Sequence, residues 1–156
     1  MRRKDREITD VHKIQEIIQS CACCRLGLND QGKVYIVPLN FGYAREEGKD
    51  IFYFHGAGEG RKIDILRVNP YVGFEMDTNY LLHEHKQACG YSARFQSVIG
   101  NGTVSFLSDM EEKKHALNCI MQHQTGKKDW EYSEGMLKEV CVFKLEAEEL
   151  SCKEHL

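Results

Sequence analysis

The pattern of this chain predicts a mainly β fold, an antiparallel β-barrel or sandwich with helices on its periphery. Three observations predict it. Six segments carry strand-like apolar and aromatic runs, only three carry a helical period, and several strands are joined by links too short for a parallel crossover. A doubly wound parallel sheet is therefore disfavoured. With 156 residues, 42% of them hydrophobic and 29% charged, the chain suffices for one domain spanning 1–156. A core of that size needs no disulfide staples.

Taken in order, Thr9-Asp10 supplies helix caps, and Val11, Ile14, Ile17 and Ile18 then fall on one helical face, a stripe expected to be core. Cys21 to Leu28 is short and apolar and reads as a strand, followed by the turn Asn29-Asp30-Gln31-Gly32. Val34 to Asn40 alternates as a strand does, and Pro38, which has no amide to donate, places it at a sheet edge or a bulge. Asp50 to His55 (DIFYFH) is the plainest strand, aromatic and apolar throughout. Glycines 56, 58 and 60 make a turn, a short helix follows with Ile63, Ile65 and Leu66 apolar, and Asn69-Pro70 stops it.

Tyr71 to Met76 is the fourth strand. A polar stretch from Asp77 to Gln87 separates it from a longer fifth, Gln96 to Phe106, whose Gly100 and Gly102 mark a bulge or a close approach to the backbone. Ser108-Asp109-Met110-Glu111 has capping-box form and opens a helix with Leu117, Ile120 and Met121 on its apolar face, ended by Thr125-Gly126. Val140 to Leu150 alternates as a final strand with Glu146, Glu148 and Glu149 on its wet side.

Composition excludes several classes of function. No apolar run approaches the roughly 20 residues of a membrane helix, and the start M-R-R-K-D-R-E-I lacks the apolar stretch of a secretory signal. Seven cysteines, two of them adjacent (Cys23 and Cys24), fit a reducing cytoplasmic setting better than a disulfide framework. A net charge of −3 gives no pull toward nucleic acid, and Arg2, Arg3, Lys4 and Arg6 read as a solvated arm. Cys21 and Cys24 form a C-x-x-C that His83, His85 and Cys89 could complete as a zinc set. No second C-x-x-C occurs, and the first lies in an apolar run where a thiol acts as a small hydrophobe, so no metal is expected. Trp130 and Tyr132 either cover a ligand or close the barrel end.

The segment with most chemistry is F-H-G-A-G-E-G-R-K, Phe54 to Lys62. A strand ends in a histidine, a glycine-rich turn follows, and Arg61-Lys62 opens a helix. Small residues let backbone amides approach an anion, a helix N-terminus carries partial positive charge, and two full charges suit a phosphate. The same residues also describe a glycine-rich turn with two solvated cations. The spacing is neither a P-loop nor a dinucleotide fingerprint.

Four motifs in order carry a resemblance: V-P-L-N-F-G-Y (Val37 to Tyr43), I-F-Y-F-H-G-A-G-E-G-R-K (Ile51 to Lys62), L-R-V-N-P (Leu66 to Pro70) and Y-S-A-R-F-Q-S-V-I-G-N-G (Tyr91 to Gly102). With the M-R-R-K-D-R-E-I start, the chain resembles the flavin-binding split-barrel family related to pyridoxamine 5′-phosphate oxidase, in particular its nitroimidazole-resistance (Nim-like) branch. The resemblance implies a six-stranded antiparallel split barrel of Greek-key connection, a homodimer, and FMN in the cleft between subunits. It implies that Arg61 and Lys62 bind the FMN phosphate and that Val37, Pro38, Leu39 and Asn40 line the isoalloxazine edge. Phe54 and His55 would flank the flavin, and Ser97 and Val98 would come from the strand that completes the site. Two departures argue against pyridoxamine phosphate oxidation. The oxidases' R-x-V-L-L-K strand is V-x-x-V-P-L-N here, and their C-terminal tryptophan and arginine are not found.

The expected function is that of an FMN-dependent oxidoreductase reducing a small electron-poor acceptor such as a nitroimidazole. His55 is the candidate catalytic residue, because an imidazole can deliver a proton near neutral pH; it is as readily a packing histidine. The second reading is a flavin or haem binding module without turnover.

Overall fold

The structure, a computed structural model, describes residues 3–156; Arg2, read above as part of a solvated arm, lies outside them. Within that arm Arg3 pairs with Asp5, and Lys4–Arg6 makes a single 3-10 turn. A two-residue strand β1 (Glu7–Ile8) follows, and Asp10 then caps α1 (Val11–Ser20) by accepting the Lys13 amide. The next four strands are two hairpins. β2 (Cys24–Asp30) returns as β3 (Lys33–Leu39) through Gln31 and Gly32, both at positive φ (52° and 86°), the backbone that a two-residue hairpin turn requires. β4 (Gly42–Glu46) returns as β5 (Lys49–Gly56) through Glu47 and Gly48 in the same way (49° and 82°).

After α2 (Arg61–Val68) come the long strands β6 (Tyr71–His83) and β7 (Ser92–Leu107), then α3 (Met110–Thr125), α4 (Glu134–Glu139) and β8 (Cys141–His155). All pairing is antiparallel, in the order β3-β2-β6-β7-β8-β5-β4, with β1 added on β8. The non-consecutive neighbours β2–β6 and β5–β8 supply the expected Greek-key connection.

The path is open at β3 and β4, yet only Asn40 and Phe41 separate those two strands in sequence. Three Cα steps of 3.8 Å span at most about 11 Å, so the sheet must roll until its edges nearly meet. No ladder joins them. The result is a barrel split along one seam, with Phe41 wholly buried in it, 6.0 Å from the Phe52 ring and 4.2 Å from the His123 ring.

The barrel interior holds Leu26, Phe52, Phe54, Phe74, Met76, Val98 and Leu145, with Ile17 and Ile18 of α1. A second cluster lies outside β5, where Ile51, Tyr53 and Val142 meet Ala116, Leu117 and Ile120 of α3 and Leu137 of α4. β5 is therefore buried on both faces, which explains why DIFYFH is apolar throughout. Each large side chain so buried contributes roughly 1.5–3 kcal/mol. Lys113 is buried and donates to the carbonyls of Leu137 and Val140 at 2.8 and 2.9 Å, tying α3 to α4.

Several expectations need correction. Among the described residues the sheet has eight strands, not six: β1 is too short to show a period, and β4 (GYARE) has too few apolar residues to read as a strand. Asp77–Gln87 is not all a separator, because β6 continues to His83 and pairs Leu81, Leu82 and His83 with Arg94, Ala93 and Ser92 beyond an irregularity at Thr78/Leu81. The second strand starts at Cys24, not Cys21, since Cys21 ends α1. Asp109 caps α3, accepting the Glu111 and Glu112 amides, so Ser108 is not the cap. α4, held by a Ser133 cap, was not expected. β8 runs on to His155 because β7 pairs with it along nearly its whole length. The bulge expected at the strand glycines lies at Asn101/Gly102, and a Cβ on Gly102 would overlap the Glu146 carbonyl.

Candidate functional site: the split and the start of α2

The open edge of β3 forms one wall. Counting from the two-residue turn, Asp30↔Lys33 is a hydrogen-bonded pair and the pairs alternate, so Tyr35, Val37 and Leu39 bond to β2. Val34, Ile36 and Pro38 turn their main-chain groups to the open edge. The amide Pro38 lacks falls where no ladder needs it, as expected of an edge strand. Val37 and Leu39 send their side chains toward the core, whereas Pro38 and Asn40 are exposed.

Across the seam, two residues beyond the Gly42↔Tyr53 pair along each strand stand Asn40 and His55. His55 is exposed at the end of β5, opposite Val142. Phe54 beside it is wholly buried and stacked on Phe143 at 5.3 Å, so its side chain packs the barrel. Val98 is likewise core. Its neighbour Ser97 is half-buried on the outer face, paired with Asp77 and Lys153. Arg25 links Ser97's neighbour Asp77 to the β3 edge: it donates to Asp77 and Glu75 and stands opposite Pro38.

The glycine turn leads from His55 to α2. Gly60, the N-cap, has φ 105° and no side chain to cap with, so the first amides of α2 keep no side-chain acceptor. Arg61 and Lys62 leave the helix about 100° apart, as consecutive helical residues must. Arg61 turns toward the β2–β3 hairpin, donating to Asp30 Oδ2 at 2.9 and 3.1 Å with its guanidinium 4.4 Å over the Tyr35 ring. Lys62 turns the other way, its Nζ 5.9 Å from the Phe143 ring and 3.1 Å from where a Cβ on Gly56 would stand. Glycine at 56 therefore leaves room for this ammonium. The two cations straddle the helix N-terminus rather than sharing a side. Arg67, missed in the sequence, joins the Lys62 side by donating to the Gly58 carbonyl at 3.3 Å. Lys113, Arg67 and Lys62 also all act on the Cys141 thiol, partly offsetting the burial that pushes its pKa up. The signal for Arg67 was available: it lies six residues into the same short helix.

The donor set, unfilled helix amides between two cations, fits a phosphate. From Tyr35, beneath Arg61, to Asn40 just past the end of β3, the extended chain covers about 17 Å at the rise of an antiparallel strand. The site residues thus form two groups, a phosphate end and a seam end, joined by one strand. An open cavity of about 350 Å³ adjoins Arg61, lined by Asn29, Asp30, Asp64 and Asn69 among others.

The cysteines and remaining histidines do not gather. Cys21 and Cys24 are buried, with thiols pushed upward by desolvation (Cys21 to about 12), while His83, His85 and Cys89 are exposed around the β6–β7 connection. Among the described residues no three His, Cys, Asp or Glu side chains form a metal-binding group. Tyr132 donates to Asn118, and Trp130 to the Lys127 carbonyl. No helix is long and apolar enough to cross a membrane among the described residues.

Comparison with known proteins agrees with this architecture. The family model described as pyridoxamine 5′-phosphate oxidase matches residues 10–154. A candidate 5-nitroimidazole antibiotic resistance protein from Bacteroides thetaiotaomicron is 36% identical, covers 95% of this chain and 86% of its own, and superposes with a TM-score of 0.82. A flavocytochrome from Azotobacter vinelandii (20% identity, 100% of this chain and 72% of that one, TM-score 0.80) shares the fold. So does an FAD and haem binding protein from Mycobacterium smegmatis (14%, 96% and 73%, TM-score 0.79). No curated protein matches in sequence. A family match over nearly the whole chain, together with a relative 36% identical on the same fold, leads to one conclusion: the chain belongs to the pyridoxamine 5′-phosphate oxidase family.

Proposed function

We propose that this protein is an FMN-dependent reductase of small electron-poor acceptors, nitroimidazoles among them. One observation carries the reading: Arg61 and Lys62 straddle a helix N-terminus without a side-chain cap, beside the β2–β3 hairpin whose exposed edge runs on to the seam. Similarity to the Bacteroides protein supports the acceptor class, and the proteins sharing the fold at lower identity include binders of FAD and haem. In this reading Arg61, Lys62 and the first amides of α2 hold the phosphate. The open-edge carbonyl of Pro38 and the side chain of Asn40 orient the ring, with Val37 and Leu39 supporting them from the core side. Phe54 and Val98 back the site from within the barrel, and Ser97 faces it from β7. When bound, the reduced flavin supplies the electrons. His55 holds a proton at its imidazole beside the seam and delivers it to the acceptor.

A homodimer completes the proposal. Val34 (77% exposed), Ile36 (62%), Ile99 (53%) and Tyr71 (49%) share the outer face of the sheet, an apolar patch that a second copy would cover while closing the cleft. All seven cysteines are unpaired, which suits a reducing, cytoplasmic location.

The test is anaerobic steady-state oxidation of a reduced nicotinamide with a 5-nitroimidazole acceptor, comparing FMN-loaded protein with free FMN. A protein rate well above free FMN is expected, and a His55→Ala variant that keeps FMN but turns over about 100-fold or more slowly, the lower end of a general acid's usual contribution. No rate above free FMN would favour a binding module, and a Soret band in the purified protein would favour haem.

A further inference from the structure

Arg61 is fixed by more than its own helix. Its Nε and Nη2 both donate to Asp30 Oδ2, at 3.1 and 2.9 Å, and its guanidinium carbon lies 4.4 Å from the centroid of the Tyr35 ring. Asp30 ends β2 and Tyr35 is the third residue of β3, so a single hairpin supplies both restraints. A guanidinium carries five N–H donors. The bonds to Asp30 occupy two of them along the Nε/Nη2 edge, leaving both protons of Nη1 and one of Nη2 for another acceptor. The Arg61 side chain is 56% exposed, so this ion pair adds little to the stability of the fold. Its effect is on conformation: a long exposed arginine that would otherwise sample many rotamers is held by one edge and one face.

We infer that Asp30 and Tyr35 are positioning residues that pre-aim Arg61 at the flavin phosphate, an inference that rests on the reading of Arg61 as a phosphate ligand. Holding the side chain before the ligand arrives reduces the ordering cost of binding. The same β3 strand continues to Pro38 and leads directly into Asn40. One hairpin therefore sets both the direction of the phosphate ligand and the edge against which the ring lies. The rival role for Asp30 is competition, a carboxylate occupying the guanidinium that the phosphate needs. The two roles predict opposite signs for removing it.

The experiment is titration of the full-length protein with FMN and with riboflavin, which lacks the phosphate. Asp30→Ala should weaken FMN about 3- to 10-fold, the range that freeing one long side chain covers, and leave riboflavin unchanged. Asp30→Asn retains an acceptor oxygen and should recover most of the loss. Tyr35→Phe keeps the ring face and should bind as the unmodified protein does, whereas Tyr35→Leu should lose FMN affinity selectively. In an Arg61→Ala background, Asp30→Ala should cost nothing further. Tighter FMN binding in Asp30→Ala would overturn the inference in favour of competition. Equal loss for FMN and riboflavin, or an undiminished loss without Arg61, would overturn it in favour of a purely structural role. An Arg61→Ala variant that keeps the full FMN preference would instead overturn the phosphate reading beneath it.

Discussion

Burial holds several thiols protonated well beyond the usual range for cysteine. Desolvation raises Cys21 to about 12 and Cys119 and Cys152 to about 11, and it raises Cys24 as well, all from an ordinary value of 9.0. The unfolded chain loses these protons near pH 9.0 while the folded chain keeps them, so the folded state binds more protons above that pH. The stability they confer is present below pH 9 and is lost as pH rises from about 9 to about 12. Tyr43 and Tyr53, raised chiefly by burial, act in the same direction. The urea midpoint should therefore fall steadily on going from pH 8 toward alkaline conditions of about pH 10, and a Cys21→Ala/Cys152→Ala variant should fall less; a flat profile would contradict the burial. Individual residues were unevenly legible. The charges of Arg61 and Lys62 at a helix start could be read directly, but not that they diverge, because direction depends on Asp30 and Tyr35, about 30 positions away. Phe54 and Val98 were placed by motif, and only packing shows that their side chains belong to the core.

At the scale of elements, the split depends on how closely α3 approaches the start of β4. A Cβ on Gly42 would overlap the backbone of Cys119 and Ile120, and α3 makes its main barrel contact there. Gly42→Ala should therefore cost about 1–3 kcal/mol, as overpacking does, read as a lower urea midpoint with an unchanged slope; an unaltered midpoint would show that α3 can slide away. Strands with one wet and one buried face, or two buried faces, were visible as alternation or as an apolar run. The outer part of β6–β7 was not, because Tyr80, Leu81, Leu82 and Tyr91 are all exposed there. An arm that buries neither face leaves no period to read. β4 escaped notice for the opposite reason, being five residues long and specified by its hairpin turn and by Tyr43 rather than by composition.

For the whole molecule, antiparallel pairing and peripheral helices followed from link lengths and periodicity, whereas the rolled sheet follows from topology that no local pattern encodes. The two-residue link Asn40-Phe41 between opposite sheet edges fixes the barrel and its seam. The proposed function turns on whether the start of α2 holds a flavin phosphate. The most direct measurement is the affinity for FMN against riboflavin in the unmodified protein and in Arg61→Ala/Lys62→Ala. A preference for FMN of about 10-fold or more, corresponding to about 1.4 kcal/mol, is expected, and the double substitution should remove it while leaving riboflavin binding intact. Equal affinity for the two flavins, or a preference that survives loss of both cations, would contradict it.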